Sequence, residues 1–183
     1  KSKKLPHLEI VIRMGQATSA GMFNFGSVCD MGRDNESARL AELAVTLQPG
    51  DNINIQFTSG TTGMPKGATL SHTNILNNAY HAGNSMHFTA DDILCIPVPM
   101  YHCFGMVLGT LLCVAQGATM VLPCEVFDPE PVLRAVQDEK CTALHGVPTM
   151  FIAELDLPTF KEFDVRSLRT GIIAGSTCPI ELM

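Results

Sequence analysis

The sequence has little charge and few aromatic residues. Only 16% of its 183 residues are Asp, Glu, Lys or Arg, tryptophan is absent, and there are two tyrosines. The formal net charge is -6 at pH 7. Because nucleic-acid binding depends on clustered positive charge, this composition argues against a nucleic-acid partner. A hydrophobic content of 46% is still sufficient for one sizeable globular core.

The cysteines lack the spacing of a disulfide framework or a zinc site. There are seven, an odd number, and no pair has the C-x-x-C arrangement. This pattern favours free thiols in a reducing compartment and predicts no protein metal site. Cys103 follows His102 directly, but adjacency in sequence does not establish the geometry of a nucleophile and its base. We therefore predict a packing role for Cys103.

The chain also lacks a stretch long enough to predict a transmembrane segment. No Asp, Glu, Lys or Arg occurs between Ile93 and Cys124, and the densest apolar part runs from Phe104 to Ala115. A spanning helix needs about 20 residues, more than this part provides. We predict a buried helix followed by a buried strand.

The most informative stretch is T-S-G-T-T-G-M-P-K-G, from Thr58 to Gly67, which follows the alternating run Ile53 to Phe57. The alternation predicts a half-buried strand. Hydroxyls and backbone N–H groups offer phosphate oxygens many donors at short range, and Lys66 adds a positive charge. The stretch therefore predicts a phosphate-binding loop whose candidate ligands are Thr58, Ser59, Gly60, Thr61, Thr62, Gly63 and Lys66.

Two other interpretations of this loop are weaker. It is not a G-x-x-x-x-G-K-[ST] loop, because Lys66 follows Pro65 and precedes Gly67. A solvated Ser/Thr/Gly turn is the usual outcome for such composition. We prefer the phosphate interpretation because the length, the preceding strand and the lysine occur together.

The rest of the chain alternates predicted strands and helices, which indicates an α/β fold with a mostly parallel sheet and helices on both faces. The predicted strands are Leu8–Arg13, Ile53–Phe57, Ile93–Pro99, Ala118–Leu122, Cys141–His145 and Thr170–Ala174. The predicted helices are Glu36–Leu47, one capped by Ser71, Met100–Gln116 ending at Gly117, Pro129–Lys140 capped by Asp128, one after Pro148, and a first turn at Pro179–Met183.

Ligands of open α/β sheets bind beyond the carboxyl ends of the strands. Three stretches follow predicted strands directly: the phosphate loop, the pair Tyr101 and His102, and the small-residue turn Gly175, Ser176 and Thr177. We expect them to converge on one site. From the residues alone, His102 on an apolar background is more often structural than catalytic, and the Gly175 turn is almost as well explained as a simple connection.

The motif T-S-G-T-T-G-M-P-K-G-A resembles the signature loop of the adenylate-forming superfamily, which includes acyl-CoA synthetases, luciferases and peptide-synthetase adenylation domains. The stretches Tyr101–Gly105 and Gly146–Phe151 are similar to the medium-chain fatty acyl-CoA ligase branch. The resemblance covers almost the whole chain and implies part of the large N-terminal domain of such an enzyme.

The resemblance also implies roles. His102 and Gly105 match an aromatic-His-x-x-Gly motif at the mouth of the acyl pocket, with Tyr101 as a supporting wall. Gly175 and its neighbours match a turn that contacts adenine and the acyl group. The implied reaction joins a carboxylate to the α-phosphate of Mg-ATP, and coenzyme A then displaces AMP. Thr58, Lys66 and His102 are the implied catalytic residues.

The family's adenine and Mg²⁺ motif, ribose aspartate and C-terminal lysine cannot be placed within residues 1–183. We therefore expect a fragment that is inactive, or nearly so, alone. An amino-acid-activating domain is the first alternative, although the uncharged stretch after His102 suits an apolar chain better. A non-catalytic nucleotide- or acyl-binding module is the second. The implied compartment is the bacterial cytoplasm, or alternatively the mitochondrial matrix, and the oligomeric state stays open.

Overall fold

The computed structural model describes residues 3–32, 34–58 and 63–182. They fall into two compact units, residues 1–48 and residues 49–183. The predicted phosphate ligands Ser59, Gly60, Thr61 and Thr62 lie outside the described residues. Within the described part, no helix has the length and apolar character needed to cross a membrane.

The first unit is small and mostly exposed. Its elements are the parallel strands β1 (Ile12–Arg13) and β2 (Phe23–Asn24) and the helices α1 (Phe25–Cys29) and α2 (Asp34–Ala44). Of the predicted strand Leu8–Arg13, only Ile12–Arg13 forms a strand. The predicted helix Glu36–Leu47 begins earlier, at Asp34, and ends at Ala44.

The second unit opens with an antiparallel hairpin of β3 (Asn52–Thr58) and β4 (Lys66–Ser71). The sequence predicted the strand β3. The expectation that β3 belongs to a parallel sheet was wrong, because β3 pairs antiparallel with β4. Residues 59–65 connect the two strands, and this is shorter than the roughly twelve residues that a parallel crossover needs. The chain can therefore only turn back on itself, and a strand rather than a helix follows the loop.

Helix α3 (His72–Ser85) begins where the sequence predicted. The Ser71 hydroxyl accepts a hydrogen bond from the Asn74 N–H at 3.3 Å, and the Asn74 side chain accepts one from the Ser71 N–H at 3.0 Å. This reciprocal cap satisfies two otherwise unpaired backbone donors. Ile75 and Ala79, four residues apart, turn towards the core.

The main sheet has four parallel strands in the order β6-β5-β7-β8. They are β5 (Ile93–Cys95), β6 (Thr119–Val121), β7 (Ala143–Gly146) and β8 (Thr170–Ile173). The remaining helical elements are a π-helical segment (Phe104–Leu111), α4 (Leu112–Gln116), α5 (Pro129–Asp138), α6 (Pro148–Leu155) and the 3₁₀ turns Phe160–Glu162 and Ile180–Leu182.

Both faces of this sheet are covered, as the sequence predicted. Alternate side chains of a strand point to opposite faces. Leu94 joins the cluster formed with α3 and α4, whereas Cys95 joins the cluster formed with α5. The neighbouring strand β7 repeats this division with Ala143 and Leu144.

The predicted helix Met100–Gln116 differs from the structure in its start and its winding. It begins at Phe104, and its first eight residues are π-helical before α4 continues to Gln116. A Cβ at Gly105 would collide with the Pro99 carbonyl, and one at Gly109 would lie 3.0 Å from Ile96. The two glycines therefore let the wide helix lie directly against the chain that leaves β5. Gly117 ends α4 with a φ of 74°, in the left-handed region.

An ion pair between the buried Asp92 and the exposed Arg169 joins three strands at their amino ends, opposite the expected ligand edge. The Asp92 carboxylate accepts hydrogen bonds from Arg169 Nε at 2.9 Å and from the Thr142 hydroxyl at 2.6 Å. Burial would raise the pKa of Asp92, but these hydrogen bonds lower it to about 2. Arg169 also donates to the His87 carbonyl at 2.9 Å. The network fixes the spacing of β5, β7 and β8.

Candidate active site

The parallel topology brings two of the three predicted stretches to one edge of the sheet. Strands β5 and β8 flank β7 and run in the same direction, so the segments after them leave at the same edge. These segments contain His102 and Gly175. The phosphate loop follows β3, which belongs to the hairpin, so the expectation that all three leave strands of one sheet was wrong for this loop.

The phosphate loop is closed by paired residues of the hairpin. Thr58 at the end of β3 is the cross-strand partner of Lys66, the first residue of β4. Gly63, between them, has a φ of 86°, a conformation that favours glycine. Thr58, Gly63 and Lys66 are all exposed. A hydroxyl, a flexible backbone and an ammonium group therefore lie together without competing ion pairs among the described residues.

The base of this hairpin is shaped by a glycine. A Cβ on Gly67 would lie 3.0 Å from Ile55 Cγ2 and 3.3 Å from Phe57 Cε1. The two apolar side chains of β3 thus cover the backbone of β4 immediately after Lys66. This packing fixes the strand from which the lysine projects.

His102 lies between β5 and the π-helical segment and is exposed. Its Nδ1 accepts a hydrogen bond from the Phe104 N–H at 3.0 Å, and the Cys103 Sγ lies 3.7 Å from the same nitrogen. Because Nδ1 acts as an acceptor, the proton of the neutral ring is on Nε2. The ring therefore offers an N–H donor on the side away from the helix.

The two sequence neighbours of His102 line two different cavities, although His102 itself is not among the lining residues. A cleft of about 740 Å³ has Tyr101 in its wall, together with Ile96, Val98, Met100, Phe127 and Met150. A smaller cavity of about 260 Å³ has Cys103 in its wall, together with Leu70, Asn74, Ile75, Asn78, Val107 and Leu108. Cys103 is exposed, so the packing role predicted for it was wrong.

The turn after β8 depends on Gly175. Its φ is 94°, and a Cβ there would lie 3.1 Å from Val147 Cγ1. Ser176 and Thr177 follow it and are exposed. The strand thus ends in an abrupt turn that presents two hydroxyls at the same edge as His102.

His145 is a buried histidine on β7. It is fully buried, accepts a hydrogen bond from the Ile172 N–H at 3.2 Å, and contacts the Leu108 carbonyl through Nε2 at 3.1 Å. Its ring centroid is 5.5 Å from that of Phe104. Burial lowers the pKa of His145 to about 4, so the ring is neutral at pH 7. It joins β8 to the π-helical segment.

Glu154 is a buried acid that the sequence reasoning missed. It is 3% exposed on α6 and borders an apolar cavity of about 140 Å³ formed with Leu133, Leu144 and Phe151. Burial raises the pKa of Glu154 to about 7. An acid within the otherwise apolar run P-T-M-F-I-A-E-L was the only sequence signal.

The chain is similar to known proteins over almost its whole length. A family model described as AMP-binding enzyme matches residues 2–183. The putative acyl-CoA synthetase YngI of Bacillus subtilis (strain 168) is 49% identical over 183 residues, which is all of this chain and 33% of that protein. The mitochondrial medium-chain acyl-CoA ligase ACSF2 of Danio rerio is 44% identical over 185 residues, again all of this chain and 30% of that protein.

Solved structures give a consistent result. The inhibitor-bound N-terminal domain of FACL13 from Mycobacterium tuberculosis matches this chain with a TM-score of 0.70 at 26% identity. The match spans 95% of this chain and 46% of the FACL13 chain. The anthranilate CoA ligase AuaEII in complex with anthranoyl-AMP matches with a TM-score of 0.80 at 24% identity. This match spans 98% of this chain and 34% of the AuaEII chain, and at this identity it shows similarity of the fold alone. The chain spans about a third of the length of the curated relatives it matches.

Proposed function

The chain belongs to the AMP-binding enzyme family, and from this premise we propose that it is part of the N-terminal domain of a longer acyl-CoA ligase. The enzyme activates a medium-chain carboxylic acid through an acyl-adenylate. The family's C-terminal lysine-bearing domain lies outside these 183 residues, so the chain alone is inactive or nearly so. The observation that carries the proposal is that His102 and the Gly175 turn follow strands that end at the same sheet edge, with Tyr101 and Cys103, the neighbours of His102, each lining a cavity.

The phosphate loop holds the pyrophosphate part of Mg-ATP in this proposal. Lys66 supplies the positive charge and Thr58 a hydroxyl at the paired end of the hairpin. Ser59, Thr61 and Thr62 add hydroxyls, and Gly60 and Gly63 permit close approach of the backbone. A donor set of this kind suits phosphate oxygens. The magnesium ion accompanies the nucleotide and neutralises its charge.

In this proposal the Gly175 turn contacts adenine and the acyl group. Its support is the shared edge with His102 and the exposed hydroxyls of Ser176 and Thr177. The left-handed conformation at Gly175 favours glycine and lets the turn lie directly against Val147. This arrangement would place the α-phosphate between the turn and the hairpin lysine.

His102 orients the acid. Its Nε2–H is suited to donate to one carboxylate oxygen, because Nδ1 is engaged by the Phe104 N–H. The other oxygen then remains free to attack phosphorus. Gly105, whose missing side chain lets the π-helical segment lie against Pro99, keeps the ring at this position.

The two cavities correspond to two substrates. The acyl chain occupies the smaller cavity between α3 and the π-helical segment. Tyr101, which the resemblance implied as a wall of the acyl pocket, lines the larger cleft instead, and the thiol arm of coenzyme A enters there. The walls of both are largely apolar. The acyl carbon would lie at their junction, next to His102.

The reaction balances in two steps. A carboxylate oxygen bonds to the α-phosphorus as the bond to pyrophosphate breaks. The sulfur of coenzyme A then bonds to the acyl carbon, the bond to AMP breaks, and the thiol proton is released. Positioning and charge neutralisation supply most of the catalysis, and no protein nucleophile is needed.

We also propose a reducing compartment, the bacterial cytoplasm, with the mitochondrial matrix as the alternative. All seven cysteines are free, which supports this assignment. The similarity to YngI and to the mitochondrial ACSF2 does not distinguish between the two compartments.

Carboxylate-dependent exchange of pyrophosphate into ATP tests the proposal on the full-length enzyme. Exchange that is greatest with medium-chain fatty acids is the expected result. Exchange greatest with amino acids would instead identify an amino-acid-activating domain. ATP binding without exchange for any acid would identify a non-catalytic binding module.

A further inference from the structure

The smaller cavity is mostly apolar but has two carboxamides in its wall. Helix α3 contributes Ile75 together with Asn74 and Asn78, which are one turn apart. The π-helical segment contributes Val107 and Leu108. An acid bound here would therefore contact alkyl groups on both sides and carboxamides on the α3 side.

The two carboxamides differ in how far they are already engaged. The Asn74 oxygen accepts hydrogen bonds from the Ser71 N–H and the Ser71 hydroxyl, both at 3.0 Å, as part of the helix cap. The Asn78 side chain makes no hydrogen bond to any described residue. Both its oxygen and its two N–H donors are therefore available to a ligand in the cavity.

An unsubstituted alkyl chain is a poor match for such a group. Asn78 is exposed in the unliganded structure, and an alkyl chain that covered it would displace water from the carboxamide and return no hydrogen bond. A hydroxyl on the chain can both donate to the Asn78 oxygen and accept from its nitrogen. Sites that hydrogen-bond a substrate hydroxyl discriminate strongly against analogues that lack it.

We propose that Asn78 is a specificity-determining residue and that the acid activated by this enzyme is a medium-chain acid with a hydroxyl on its chain. This inference rests on the proposed function, since it assigns the smaller cavity to the acyl group. The volume of about 260 Å³ is near the lower end for small-molecule sites, which suits a short or medium chain.

The test compares octanoate with the positional series of hydroxyoctanoates in pyrophosphate exchange by the full-length enzyme. We expect one hydroxy acid to exceed octanoate in kcat/KM by about tenfold or more, the equivalent of one hydrogen bond. The variant Asn78→Leu, which keeps the side-chain size, should reduce this ratio to near one or below. Asn77→Leu, on the same helix but outside the cavity wall, is the matched control and should leave the ratio unchanged.

Two results would overturn the inference while leaving the proposed function intact. One is exchange in which octanoate equals or exceeds every hydroxy acid. The other is a preference for a hydroxy acid that Asn78→Leu does not alter. Failure of exchange with every acid, in contrast, would contradict the proposed function itself.

Discussion

Thr58 and Lys66 are cross-strand partners at the end of the β3–β4 hairpin, so the residues between them form a closed loop with a hydroxyl and an ammonium group at its base. The geometry differs from a phosphate loop that leads into a helix N-terminus. The element that follows this loop in the chain is the strand β4 and not a helix, so the loop does not lead directly into a helix N-terminus. In our proposal the positive charge that faces the pyrophosphate thus comes from Lys66.

Replacing that lysine should therefore weaken nucleotide use strongly. We expect Lys66→Ala to lower kcat/KM for ATP in pyrophosphate exchange by about 30- to 100-fold, the equivalent of one charge-assisted hydrogen bond. Lys161→Ala removes an exposed lysine from a 3₁₀ turn and serves as the control. Equal effects of the two substitutions would argue against phosphate binding by Lys66.

His102 should act on the acid rather than on the nucleotide. We expect His102→Ala to lower exchange by about 10- to 100-fold through the loss of one donor to the carboxylate, with the KM for ATP little changed. Exposed His81, on α3, is the control as His81→Ala. A rise in the KM for ATP at constant turnover would instead assign His102 to the nucleotide.

Glu154 should make the folded state less stable as the pH rises. Its pKa is about 7 in the folded protein and ordinarily 4.5, so between these values only the unfolded chain has lost the proton. Stability therefore falls from pH 4.5 to pH 7, by about 3 kcal/mol if this group acts alone. In urea unfolding, the free energy of unfolding of Glu154→Gln should exceed that of the unmodified protein by an amount that increases from pH 4.5 to pH 7. A constant difference would show that Glu154 ionises normally.

His145 should have the opposite effect over almost the same range. Burial lowers its pKa from 6.5 to about 4, so the unfolded chain binds a proton first as the pH falls. Stability is lost as the pH falls from 6.5 to 4, again by about 3 kcal/mol. The two slopes offset each other in the unmodified protein. In Glu154→Gln the free energy of unfolding should therefore rise with pH. In the double variant Glu154→Gln, His145→Gln it should no longer depend on pH in this range. A pH dependence that persists in the double variant would contradict this assignment.

Much of the fold followed from local sequence signals. Ser71 and Asp128 cap helices where predicted, because their side chains accept hydrogen bonds from backbone N–H groups two or three residues later. Gly117 ends α4 in the left-handed conformation. The repeating order of predicted strands and helices identified the positions of the sheet strands, although the strands are shorter than predicted because hydrogen-bonded pairing extends only over the shared register.

The features that sequence did not reveal depend on contacts between distant residues. The pairing of β3 with β4 reflects the length of their connection, and the π-helical winding at Phe104 depends on the approach of Gly105 to Pro99. The cavity that Glu154 borders is lined by residues from α5, β7, β8 and the two 3₁₀ turns. The roles of the phosphate loop, His102 and the Gly175 turn came from motif resemblance and stay predictions.

The most direct measurement follows the oxygen atoms of the acid. The full-length enzyme is supplied with ATP, coenzyme A and a carboxylic acid labelled with ¹⁸O in its carboxylate, and the products are analysed by mass spectrometry. If the acid is activated as an acyl-adenylate, AMP will carry one ¹⁸O atom and pyrophosphate none. Label in phosphate, or unlabelled AMP accompanied by thioester formation, would contradict the account.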